Sequence, residues 1–268
     1  MTFAHADSDG SREILVITHM PFPQLEMIGP AIAEAGLRLR RLDVREPAAA
    51  RPSSGEVAGV ISLGGQQSLL ALEREPFLEW EIDFIRDAVR NRTPVLGLCL
   101  GAQLLTLATG GRVERLSEPV VAWQVLRWEA AGSDDPLLGG LGQEVNVLEW
   151  HNDAVVLGPD AVRLAQTPVP ACSVFRSGPS GWGSQMHLEM GPEMLGALLD
   201  DPIECANITA AGHTIDGFRE EALRRLPRQM DLGQAILERF VAIVARSCGV
   251  GARSRTLTPS RASTRRSR

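Results

Sequence analysis

The segment Glu13–His19, EILVITH, is a short apolar run of the kind a strand buried on both faces presents. Gln24 to Ala35 follows with apolar residues near helical spacing and stops at Gly36, which predicts a helix. Leu37 to Val44 alternates apolar residues with arginine, as a strand near a sheet edge does, and Glu46 to Glu56 reads as a loop. Val57 to Leu63 predicts a second buried strand ending in Gly64-Gly65. An amphipathic helix over Pro76 to Arg90, a buried strand over Pro94 to Leu98 and a helix over Ala102 to Thr109 come next. Strands alternating with helices at this spacing predict an α/β fold: a three-layer sandwich around a mostly parallel central sheet.

The pattern changes between Arg112 and Phe175, where short β-like runs such as VVAWQVLRW and EVNVLEW are separated by Gly, Pro and Asp. These predict an antiparallel extension of the sheet. Gly183 to His187 reads as one more strand, and Pro192 to Arg246 as mostly helix. With no internal repeat and no interior linker, one domain over 13–246 is expected, flanked by a disordered N-terminus (1–12) and a disordered tail (247–268).

Composition narrows the function classes. Of 268 residues 44% are hydrophobic, enough for a substantial core, yet no apolar run reaches the roughly 20 residues needed to span a bilayer. The N-terminus is polar and acidic rather than a basic leader, so a cytoplasmic location is expected. The net charge is −6, but the tail carries Arg253, Arg255, Arg261, Arg265, Arg266 and Arg268 and no acid, so the rest of the chain is more acidic still. An acidic body argues against a nucleic-acid-binding core, and the tail reads as solvated chain. Lysine and tyrosine are absent throughout, an oddity from which nothing functional is read. The four cysteines, Cys99, Cys172, Cys205 and Cys248, stand far apart without metal-ligand or disulfide spacing, so no metal and no cofactor are expected.

Cys99 is the exception in context. Gly97-Leu98-Cys99-Leu100-Gly101 lies where a buried strand meets a helix, and a nucleophile on such a tight turn needs small residues two before and two after it. The helix N-terminus offers unpaired N–H groups and a positive dipole end, which favour a thiolate. A cysteine nucleophile needs a base, itself oriented by a third group. His187 and Glu189, in WGSQMHLE, are the candidates, because residues i and i+2 of an extended segment project to one side. Cys172 and Cys205 read as packing residues, and His19 and His213 as incidental.

Taken together, PVLGLCLGAQLL and WGSQMHLE resemble the class I glutamine amidotransferases, whose elbow reads GxCxGxQ and whose later segment reads GxQFHPE. The likeness is to stand-alone proteins similar to the glutaminase domain of GMP synthase, and the fold it implies is flavodoxin-like. Val60 to Gly65, Gly110-Gly111-Arg112-Val113 and Glu149-Trp150-His151-Asn152-Asp153 fit the same pattern, which covers residues 13 to 195 and more loosely the helices to 246. The resemblance implies a nucleophile Cys99, a base His187 and an orienting Glu189. It further implies an oxyanion hole from the backbone N–H groups of Gly65 and Leu100, and substrate contact by Gln103. His151 and Asp153 stand near the site in relatives, either touching substrate or bracing the pocket by hydrogen bonds. Two positions depart from the pattern: Leu188 and Gln66 stand where the family has proline, and neither change removes a reacting group.

Three functions fit these residues. One is a glutaminase passing ammonia from glutamine to a separate synthetase, since the chain has no SGGxDS phosphate loop of its own. Another is a stand-alone hydrolase of other γ-glutamyl amides or peptides. The third, a non-catalytic scaffold, is disfavoured by the intact Cys99, His187 and Glu189 set.

Overall fold

The computed structural model describes residues 12–141, 144–169 and 172–249. The expected disordered flanks therefore lie almost entirely outside the described residues, the exceptions being Arg12 and Ser247 to Gly249. A nine-stranded sheet forms the middle layer, in the order β2-β1-β3-β4-β9-β8-β7-β5-β6. Strands β1 (Glu13–Thr18), β2 (Arg38–Asp43), β3 (Gly59–Ser62), β4 (Val95–Leu98) and β9 (Gly181–Ser184) run parallel to one another. The sheet continues antiparallel through β8 (Val174–Ser177), β7 (Ala161–Gln166), β5 (Arg112–Trp128) and β6 (Val145–Val156). Both halves match the periodicity: continuous apolar runs in the parallel part, interrupted runs in the extension. The arginine-bearing strand β2 is an edge strand, as its alternation predicts.

Alternate side chains of each parallel strand feed two cores. Ile14, Val16, Ile61, Leu63, Leu96 and Leu98 pack against α1 (Ile28–Glu34) and the long α7 (Ile215–Ser247). Leu15, Ile17, Val60 and Val95 face the other way, onto α2 (Phe77–Arg90) and α3 (Leu100–Ala108). After a short helix α4 (Ala130–Ser133) and the antiparallel strands, α5 (Pro192–Asp200) and α6 (Pro202–Ala210) join the first half of α7 over Leu148 and Trp150 in a third, smaller core.

Three predicted boundaries move. The helix expected from Gln24 begins at Ile28, and the elbow helix begins at Leu100 rather than Ala102. The strand expected through His187 ends at Ser184, so His187 and Glu189 sit on the turns after β9. Their common side is therefore a property of the turn and not of an extended strand.

Candidate active site

Strands β3, β4 and β9 are consecutive parallel neighbours, so their carboxyl ends meet at one edge of the sheet, the usual ligand edge of an open α/β sheet. Gly64-Gly65, Cys99 and the His187 turn extend from those three ends. Two backbone hydrogen bonds lock the three together: Cys99 N–H donates to Ser184 O at 2.8 Å, and Gly101 N–H donates to Leu63 O at 3.2 Å.

Cys99 is the N-cap of α3 and holds φ 50°, ψ −104°, a conformation few side-chain-bearing residues adopt. The flanking glycines make that turn possible. A Cβ on Gly97 would lie 2.3 Å from Gly101 O, and one on Gly101 would lie 2.1 Å from Ser62 O. Gly64 passes so close that a Cβ there would meet His187 Cε1 at 3.0 Å and Cys99 Cβ at 3.4 Å.

The three residues singled out by the sequence come together. His187 Nδ1 is 3.0 Å from Glu189 Oε1, and His187 and Cys99 line one pocket. His187 Nε2 lies 3.4 Å from Trp150 O, the same oxygen that Cys99 Sγ faces at 3.8 Å, while Gln185 Nε2 approaches the sulfur at 3.8 Å. Burial works against charge on the imidazole, but Glu189 and then Cys99 outweigh it, and the His187 pKa stands well above its ordinary value. Both ring nitrogens face acceptors, which is the environment an imidazolium needs.

A pocket of ≈ 230 Å³ opens over this group, lined by Cys99, His187, Gly65, Leu100 and Gln103 among others. Leu100 is the first residue of α3, so its N–H has no acceptor within the helix. Gln103 Nε2 donates to Asp153 O at 3.3 Å. Asp153 accepts from Ser68 Oγ at 2.8 Å and pairs with Arg115 at 3.0 Å, directly across the β5–β6 ladder. His151 shares the pocket wall and holds Glu149 at 3.2 Å, and Glu149 also accepts from Ser173 and Thr167.

Several supporting residues carry no motif in the sequence. His19, incidental by its sequence context, is buried and sits 2.8 Å from the buried Glu81, which accepts from Ser62 Oγ at 2.7 Å behind the elbow. Gln24 Nε2 donates to Gly64 O at 3.2 Å, and Gln229 Nε2 of α7 donates to His187 O at 2.8 Å. Gln229 and Gln24 are 1% exposed; polar residues at core-facing helical or turn positions were the available signal. Cys172, by contrast, is buried away from the site, and burial pushes its thiol up to about 12, as suits a packing residue. Among the described residues no group of His, Cys, Asp or Glu could hold a metal ion, and no helix is long and apolar enough to cross a membrane.

Known proteins resemble this chain in sequence and in fold. It is 29% identical over 151 residues, 55% of its length and 63% of the relative's, to the putative glutamine amidotransferase-like protein YfeJ of Salmonella typhimurium. It is 34% identical over 101 residues, 37% of its length and 52% of the relative's, to one subunit of the glutamine-hydrolysing GMP synthase of Saccharolobus solfataricus. The chain thus spans less than two thirds of either curated relative. A glutamine amidotransferase from Thermotoga maritima superposes with a TM-score of 0.75 at 23% identity, covering 85% of this chain and 97% of that one. One from Methylobacillus flagellatus gives 0.73 at 21% identity, covering 86% and 94%. Residues 26–199 match the family described as glutamine amidotransferase class-I, and the chain belongs to that family.

Proposed function

We propose that the protein is a cysteine-dependent glutaminase that hydrolyses the side-chain amide of glutamine and supplies ammonia to a separate acceptor enzyme. The observation that carries this reading is the strained Cys99 at the start of α3, in one pocket with a His187 that is oriented by Glu189 at 3.0 Å.

In this reading the Cys99 thiolate attacks the amide carbon, and the oxygen that gains the negative charge is met by the N–H groups of Gly65 and Leu100. His187, protonated at rest, passes its Nε2 proton to the departing nitrogen as the C–N bond breaks, which leaves a γ-glutamyl thioester and ammonia. Water then attacks the thioester while His187 takes up its proton. Collapse of the second tetrahedral species expels the thiolate and releases glutamate. Glu189 keeps Nδ1 protonated throughout, so Nε2 is the nitrogen that exchanges protons. Gln103 and the Asp153–Arg115 pair shape the far side of the pocket, and His151 braces it through Glu149.

Glutamate release from glutamine by the purified chain is the test, with Cys99→Ala as control. Glutamine turnover that Cys99→Ala abolishes, by at least about 10⁴-fold, with an unchanged melting temperature, is the expected result. An active Cys99→Ala protein overturns the mechanism. Turnover that rises when a candidate synthetase is added supports ammonia transfer. Turnover confined to other γ-glutamyl amides, with glutamine ignored, replaces the amidotransferase reading with a stand-alone hydrolase.

A further inference from the structure

Beyond the residues matched to the family, the first turn of α6 carries Glu204 into the wall of the same pocket. It is 6% exposed. Its Oε1 accepts from Gln66 Nε2 at 2.8 Å, and its Oε2 accepts from Trp150 Nε1 at 2.9 Å and Asn207 Nδ2 at 3.0 Å. All three donors are neutral, so they satisfy the oxygens without compensating the charge. Arg115, the arginine in the pocket lining, is occupied by Asp153. A carboxylate taken out of water is costly unless a cation meets it, and the amino end of α6 compensates only part of that cost.

The location of this carboxylate is set by two side chains that begin at the reacting centre. Gln66 follows Gly65 in the chain and reaches Glu204 with its amide. Trp150 faces Cys99 and His187 with its carbonyl oxygen and reaches Glu204 with its indole N–H. Glu204 thus hydrogen-bonds the side chain of the residue after Gly65 and that of the residue whose carbonyl oxygen faces the sulfur, and it lines one pocket with Gly65 and Cys99. In a γ-glutamyl compound the α-ammonium nitrogen is four bonds from the carbonyl carbon, so with the amide at Cys99 the amino end falls on another part of the wall of the same pocket. Gln66 is also the residue that stands where the family has proline, and proline could not make this contact.

We infer that Glu204 is a specificity residue that receives the α-ammonium group of the substrate, restricting the pocket to γ-glutamyl compounds whose α-amino group is free. The inference rests on the glutaminase reading above and names which end of the substrate α6 recognises. The charge-assisted hydrogen bond forms in the ground state and persists in the transition state, so its loss appears in KM far more than in kcat.

The test compares glutamine with glutaramate, the same amide without the α-amino group, as substrates of the full chain and of Glu204→Gln. The wild type is expected to favour glutamine in kcat/KM by at least about tenfold. Glu204→Gln is expected to raise KM for glutamine by about tenfold or more, leaving kcat and the glutaramate values within about twofold. An equal loss on both substrates assigns Glu204 a structural role and overturns the inference, as does a wild type that treats the two alike. The wild-type comparison needs no variant, so indiscriminate turnover overturns the inference even if Glu204→Gln does not fold, and Glu204→Asp, which keeps the charge, then carries the residue-level test through its KM for glutamine. If the wild type hydrolyses no γ-glutamyl amide, the glutaminase reading falls and this inference with it. Turnover without discrimination defeats the inference alone.

Discussion

At the scale of single residues the site is a set of close approaches. Glycine at 97 and 101 is forced by backbone contacts a Cβ could not survive, which is why GxCxG is readable from sequence without any partner. The His187–Glu189 pairing is readable too, although its physical reason differs from the one periodicity offers: a turn, not strand alternation, brings them to one side. His187 also carries a pH signature. Its pKa is raised in the folded protein, so the stability it contributes is complete below the unfolded value of about 6.5 and is lost as pH rises through the folded pKa. Activity that depends on the resting imidazolium has its basic limb at that same folded pKa. Glu189→Gln removes the strongest interaction raising it while burial remains, so the basic limb of the kcat/KM profile is expected to move to lower pH, with activity down about tenfold or more. A pH–rate profile with an unmoved basic limb would separate His187 from the proton transfer. His187→Ala is expected to cost more than Glu189→Gln, because deleting a base is more severe than misorienting it.

At the scale of elements, the turn that carries His187 is held by a helix that begins nearly thirty residues later in the sequence, and local pattern gives no sign of it. Gln229 and Gly233 lie one turn apart on α7. Gln229 bridges two elements, donating to His187 O at 2.8 Å and accepting from Leu148 N at 2.6 Å. Gly233 lets the helix approach so closely that a Cβ would stand 2.1 Å from Leu188 O. Periodicity places such residues on a buried face but cannot say that the face abuts the His187 turn, since that depends on which loop crosses it. Leu188, standing where the family has proline, is a core residue at 1% exposure, so the turn is anchored by packing where the family pattern uses proline. Replacing Gln229 with Leu strands a buried N–H and a buried C=O together. A loss of about 2–5 kcal/mol in denaturant unfolding is expected, along with a drop in kcat as the His187 turn relaxes. A Gln229→Leu protein that loses stability but keeps full kcat would show that the turn holds its geometry without the clamp.

At the scale of the whole molecule, α7 spans two cores with different duties. Its second half fills the main core, where Phe240 meets Trp182 edge-on with ring centres 6.4 Å apart. Its first half closes the smaller core, where Phe218 meets Trp150 edge-on at 5.5 Å. The alternating strand–helix order makes the main sandwich predictable, because each parallel strand must bury both faces. The smaller core is not predictable in that way: it depends on α5, α6 and α7 folding back over β6, a long-range packing that no local period encodes. Phe218 and Phe240 are both at most 1% exposed, so truncating either to Ala is expected to cost about 3–5 kcal/mol. Their effects on turnover should differ. Trp150 faces the Cys99 sulfur with its carbonyl oxygen and the α6 wall with its indole, so Phe218→Ala is expected to raise KM at temperatures well below its melting point. Phe240→Ala, acting through the main core, should leave kcat/KM within about twofold once the unfolded fraction is subtracted by circular dichroism. Equal kinetic losses in the two variants would mean that the pocket wall and the sandwich respond as one unit, and that the small core does not shape substrate binding separately.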